Sequence, residues 1–301
     1  LPDGLSYPPG AYKYSDDLSD RVDELYLVSQ DVLHVVDLEH GFVLWKLKLP
    51  FAAASAPAGN ISHVYVGAWN DRIYAISKMA KTVGWSYRAS APVTAAAEVT
   101  ERSVESVFIG GEDGIVYSMN PVFQERKWHF RTQGTITASP LFHRNFVYVA
   151  SRDMNLYCIG SVNGNLAWKY AAGAPLSTEP CAFDRHLIYC VADDHRLLAV
   201  NLQPEAAGGQ YLRWQCQDVN AVLAQGRGRV FVRERSGAVI SLDEKDGRTS
   251  WQQPLAVGAD FHALNKYSRN SRRKRERSLA SIMVFGYKDG WLIAIGEKGE
   301  Y

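Results

Sequence analysis

A chain of 301 residues, 47% apolar and 22% charged, has the make-up of a folded globular protein and not of a disordered one. Its net charge of +1 gives no global pull toward nucleic acid or an anionic membrane. No apolar run reaches the roughly 18 residues that a membrane-crossing helix needs.

Residues 1–24 differ in character from the rest of the chain. They are rich in Pro, Gly, Tyr and Asp and have no alternating core face, so they read as an N-terminal arm. The chain opens on Leu1 and not on Met, so the expectation is either that a leader, with or without a lipid anchor, has been removed or that the sequence is a trimmed piece of a longer one.

From residue 25 a repeat takes over. Its first landmark is the centre of a short apolar strand: His34, Tyr74, Tyr117, Tyr157, Leu198, Ile240 and Ile293. Successive centres lie 40, 43, 40, 41, 42 and 53 residues apart. The second landmark is a Trp at 45, 85, 128, 168, 214 and 251, five of them 11 residues after the strand centre. Trp214 follows Leu198 by 16, and the loop around Pro204–Gly209 holds the extra residues. A period near 40 with four strands per unit is the signature of a propeller blade.

Unit four displays the parts. Ile136–Phe142 reads as an inner strand, followed by Asn145–Ser151, Asn155–Gly160 and Asn165–Tyr170. Asn163-Gly164 supplies a tight turn that accepts positive φ, and His40-Gly41 and Asp246-Gly247 take the same place elsewhere. Each Trp fills the widening gap between splayed outer strands. An indole buries roughly 200 Å², on the order of 5 kcal/mol at most.

The expected fold is all-β: a seven-bladed β-propeller of four-stranded antiparallel blades, one domain over residues 25–301. The sixth unit departs most, with a short first strand and Arg227, Arg229, Arg233 and Arg235 along it. The seventh carries a basic insertion, residues 266–278. That unit ends before its own closing Trp. The arm near Ala11–Ser15 is therefore expected to add an outer strand to the seventh blade and close the ring, leaving no open edge.

The segments HVYVGAWNDRIYAIS with Trp85, SVFIGGEDGIVYSMN with Trp128 and FVYVASRDMNLYCIG with Trp168 are similar to the quinoprotein-type, or PQQ-like, propeller repeat. The match runs over residues 25–296. Within that family the chain looks like the non-catalytic, BamB-like members. The catalytic branch carries an adjacent Cys-Cys pair and a Ca²⁺ beside its quinone. This sequence has no such pair, and no quinone or calcium position matches. The resemblance transfers a fold and no cofactor.

Other constellations give little chemistry. Cys181, His186, Cys190 and His195 lack zinc-site spacing, and the two His fall at opposite ends of one hairpin. Cys181 and Cys190 would face each other across a two-residue turn, either as free thiols or as a disulfide. Asp113, Asp153, Asp193 and Asp289 recur at equivalent turns and read as turn caps. Gly110, Gly111 and Gly114 precede no helix, so they form no phosphate loop.

Two features suit partner binding: Trp69 at a hairpin tip, and the cations Arg272, Arg273, Lys274, Arg275 and Arg277 of the insertion. The expectation is a non-enzymatic scaffold for other proteins or peptides. It would bind no nucleic acid and hold no metal. Its setting would be periplasmic or cell-envelope associated, in bacterial envelope assembly or sensing. The alternative is a PQQ- or sugar-binding enzyme that uses a central channel.

Overall fold

Short strands joined by tight turns make up almost all of the described residues of the computed structural model. It describes residues 10–12, 23–37, 40–100, 106–182, 186–226, 228–253, 260–261, 284–288 and 291–295. The chain divides into two compact units, Leu1–Pro180 and Cys181–Tyr301.

Four antiparallel sheets form the first unit. The first holds β1 (Gly10–Tyr12), β2 (Glu24–Ser29), β3 (Val32–Asp37) and β4 (Val43–Lys48). The second holds β5 (Ala58–Gly59), β6 (His63–Gly67), β7 (Arg72–Ser77) and β8 (Thr82–Arg88). The third holds β9 (Glu98–Thr100), β10 (Ser106–Gly110), β11 (Ile115–Asn120) and β12 (Glu125–Arg131). The fourth holds β13 (Leu141–His143), β14 (Phe146–Ala150), β15 (Asn155–Gly160) and β16 (Leu166–Ala171). Strands pair in chain order within each sheet, and β1, β5, β9 and β13 are neighbours in that order.

The second unit has three sheets of the same kind. The fifth holds β17 (Leu187–Val191), β18 (Leu197–Asn201) and β19 (Leu212–Cys216). The sixth holds β20 (Val219–Gly226), β21 (Arg229–Glu234), β22 (Val239–Asp243) and β23 (Thr249–Gln253). The last holds β24 (Asp260–Phe261), β25 (Val284–Lys288) and β26 (Trp291–Ile295).

Second strands, and β17, which takes that place in the three-stranded fifth sheet with β18 and β19 as its third and fourth, are buried on both faces, as the five buried residues of β10 and of β17 show. Fourth strands alternate, as in β16. The core of the first unit therefore lies between neighbouring sheets, in layers such as Tyr65, Trp85, Val107 and Met119. In the second unit Tyr189, Trp214, Val230 and Leu242 form an equivalent layer.

The Trp landmark has a shared local cause. In six sheets the ladder between third and fourth strands slips by one residue beside the Trp, at Val35/Val36, Ala75/Ile76, Ser118/Met119, Cys158/Ile159, Ala199/Val200 and Ser241/Leu242. A bulge of this kind sharpens twist and re-aims the next side chain. Five of the indoles also meet an aromatic ring on the second strand, at 5.8–6.1 Å between centroids. The residue between the two rings is always small: Ala75, Ser118, Cys158, Ala199 or Ser241. Ser118 and Ser241 leave their buried hydroxyls without a partner, so size is what the position selects.

Several expectations need correction. Ala11 and Tyr12 lie in β1, which pairs with β2 (Ala11 with Leu25) and not with the last sheet. The arm thus supplies the first strand of the first sheet, close by in sequence, where closure costs less entropy than long-range pairing. Lys13–Ser15 lie outside the described residues. The inner strand of the fourth sheet is Leu141–His143 alone, because Pro140 has no amide to give and Ile136 bonds to the Gly111 carbonyl instead. The first strand of the sixth sheet is long, with eight residues, and two register shifts absorb its irregular sequence.

All four cysteines are free thiols. Cys181 pairs with Tyr189, so Cys190 points to the other face of the hairpin, and no disulfide can span the two faces. Complete burial pushes the Cys190 thiol far up.

Candidate functional site

The turn between β6 and β7 presents Trp69, 54% exposed. Its backbone is pinned on several sides. Ala68 N–H donates to Arg72 O at 2.8 Å, Trp69 N–H to Ala52 O at 3.2 Å, and Ala89 N–H to Asp71 O at 2.7 Å. Asn70 Nδ2 donates to the Tyr74 hydroxyl at 2.8 Å, and the Tyr74 ring stacks on Phe51 at 3.7 Å. A large apolar side chain therefore sits on a rigid tip, which lowers the entropy cost of using it in binding.

The equivalent turns of the next two sheets are held by carboxylates. Asp113 accepts from Tyr117 Oη at 2.5 Å, from Ile115 N–H at 2.9 Å and from Ser90 N–H at 3.1 Å. Asp153 accepts from Tyr157 Oη at 2.7 Å, Asn155 N–H at 3.0 Å and Gln133 N–H at 2.7 Å. Ser90 and Gln133 belong to the loops leaving the preceding sheets, so each carboxylate ties two sheets together. Burial alone would raise the Asp153 carboxyl, but donors from Tyr157, Gln133 and Asn155 outweigh it and hold it below the usual range. Burial first, then the bond to Asp113, pushes the Tyr117 hydroxyl up to about 12. In each pair the Asp accepts from a phenol locked as donor, an arrangement that fixes a turn.

Stability should therefore depend on pH in one direction. A depressed carboxyl stabilises the fold above its unfolded-state pKa and loses that contribution as pH falls through the folded value. Asp153→Asn should cost about 1–2 kcal/mol near neutral pH, a figure discounted for partial exposure. Urea midpoints of the variant and the parent should converge below about pH 4.

Asp113 and Asp153 thus cap their turns. In the fifth sheet the equivalent residue is Asp194, which accepts from Arg196 N–H and Nε, and not Asp193. Asp289 lies outside the described residues, as do Arg272, Arg273, Lys274, Arg275 and Arg277. The glycine amides of this turn are already used, Gly111 N–H on Ile115 O and Gly114 N–H on Gly111 O, and Glu112 N–H donates to Pro92 O. Among the described residues no group of three or more His, Cys, Asp or Glu is placed to hold a metal. His186 precedes β17 and His195 follows it, at opposite ends of the strand. Sequence reasoning singled out Trp69 but not the pairing beneath its end of the sheets. A Tyr four residues after the turn Asp or Asn, at 74, 117 and 157, was the available signal.

Comparison with known proteins adds the family. The family described as "Outer membrane protein assembly factor BamB" matches residues 29–140 and 112–275. The chain belongs to the BamB family of PQQ-like propeller proteins. A crystal structure of BamB from Moraxella catarrhalis superposes on 97% of this chain and 82% of its own, with a TM-score of 0.73 and 13% identity. At that identity the likeness to the Moraxella BamB is one of fold. No individually curated protein matches significantly. No helix among the described residues of this BamB-family chain is long and apolar enough to cross a membrane.

Proposed function

We propose that this chain is a non-catalytic propeller that displays fixed groups to partner proteins during assembly of the bacterial cell envelope. On this reading the four sheets of the first unit and the three of the second are the seven blades of one ring. The observation that carries the proposal is the family match, which spans residues 29–275. The pinned, exposed indole of Trp69 supports it, since buried aromatic anchors dominate protein interfaces. No described residue favours the quinone- or sugar-binding alternative.

The test is a photo-crosslinking amino acid at position 69 in the native host. It should capture a discrete envelope protein, and Trp69→Ala should weaken binding of that protein about tenfold or more. A crosslinker at Gln133 serves as the control. Capture no greater at 69 than at 133, or unchanged affinity in Trp69→Ala, would overturn the assignment of this tip.

A further inference from the structure

Large apolar side chains left exposed in the first unit are unevenly distributed. Strand order gives each sheet two ends. One end carries the turns between second and third strands, including Trp69. The other carries the turns between third and fourth strands. Exposed apolar residues of that second end occur on all four sheets. Phe42 and Val43 follow β3, and Met79 follows β7. Val122 and Phe123 follow β11. In the fourth sheet Val162 lies in the turn, while Phe146 pairs with Gly160 and Leu166 with Ile159, which puts them at the same end. Only Trp69 and Met154 are exposed at the first end among the described residues.

Bonds between sheets join like end to like end. Lys78, beside Met79, reaches Glu24 at the start of β2. Ser90 N–H reaches Asp113 at the first end, and Trp128 Nε1 reaches Ser161 O at the second. The apolar tips therefore share one face of the first unit. The third-to-fourth turns described in the second unit, ahead of β19 and β23, carry no exposed large apolar residue.

We propose that this face docks on the interfacial region of a lipid bilayer. Exposed polar or small residues flank the tips within their turns: His40 and Gly41 precede Phe42, Lys81 lies two residues after Met79, Gln124 follows Phe123, and Asn163 follows Val162. A protein interface closes around a contiguous apolar centre. A fluid bilayer receives each tip separately and leaves the polar turn residues among the headgroups. Exposed cations also sit here, Lys81, Arg126 and Arg144, against the exposed Glu125 and the half-buried Asp23. Asp37 is buried against His40, and Glu24 is paired with Lys78. The inference does not rest on the partner-protein reading, which concerns the other end.

Flotation of the full chain with phosphatidylcholine vesicles, with and without phosphatidylglycerol, tests it. The parent should float with both, more with the anionic lipid, and added salt should remove only that increment. Phe42→Ser, Phe123→Ser and Val162→Ser combined should reduce vesicle binding at least tenfold with an unchanged unfolding midpoint, whereas Trp69→Ser should leave it intact. A parent chain that stays in the lipid-free fraction overturns the proposal, as does a triple variant that floats like the parent. Photo-crosslinking from position 123 to a protein, without flotation, would also overturn it.

Discussion

Trp128→Ala should destabilise the first unit by about 3–5 kcal/mol, the range for emptying a buried aromatic site. The indole is 8% exposed and does two things at once. Its Nε1 donates to Ser161 O in the next sheet at 2.9 Å. Its ring covers the turn at Gly164, where a Cβ would lie 2.8 Å from Trp128 Cδ2. Gly164 also has φ +72°, a region that costs an L-residue about 1–2 kcal/mol. Gly164→Ala should therefore be strongly destabilising while Trp128 is present. In a Trp128→Ala background its cost should shrink to the backbone part alone, about 1–2 kcal/mol. Urea midpoints of the four chains form the cycle, and additive effects would show that indole and turn act independently. The second unit repeats the device. Trp214 Nε1 donates to Glu244 O at 2.8 Å, and a Cβ on Gly247 would lie 2.6 Å from the Trp214 ring. Trp85 is the exception, its Nε1 buried without an acceptor.

Lys78→Met is expected to cost about 3–5 kcal/mol as well, by a different mechanism. Lys78 Nζ lies 2.6 Å from Glu24 Oε2, with side chains only 7% and 10% exposed. Tyr26 Oη donates to the same oxygen at 2.8 Å, and the ammonium sits 5.2 Å from the Tyr26 ring centroid. Removing the ammonium leaves a buried carboxylate with a hydroxyl donor and no countercharge. The double variant Lys78→Met, Glu24→Gln should recover much of the loss, because a neutral amide needs no countercharge. The effect should change little between low and high salt, since the pair is shielded from solvent. Asp246→Asn provides the contrast. Its partner Arg248 is 86% exposed, and such surface pairs contribute about 0–1 kcal/mol. Equal losses for Lys78→Met and Asp246→Asn would show that burial does not set the strength of the pair.

The repeat was legible in the sequence because its causes are local. The tight turns at Asn163-Gly164 and Asp246-Gly247 and the bulge beside each Trp fix chain spacing, and spacing survives as a period. The family follows from that period together with the V-Y-V and Y-x-I strands. Register was not legible. Whether Cys190 or Tyr189 stands opposite Cys181 depends on one residue of slip, and that slip decides which face a thiol takes. The place of β1 was hidden because pairing partners are chosen by topology and not by the arm's own composition. At the candidate site Trp69 could be found as an aromatic in a turn, outside the Trp spacing. Phe123 and Val162 could not, since apolar residues in a strand-rich sequence look the same whether a turn exposes them or a neighbour covers them. Only the alignment of equivalent ends makes them a set.

In both units where the indole-to-turn bond is seen, what it asks of the receiving sheet is a main-chain oxygen and, at Gly164 and Gly247, the absence of a side chain. Neither demand specifies a partner sequence. Any unit with the same turn could take the place of its neighbour, so copies can be duplicated or exchanged, and their surfaces rewritten, without the joint being redesigned. Such a chain keeps its architecture while nearly every other letter drifts, and new recognition surfaces arise on it without rebuilding the frame.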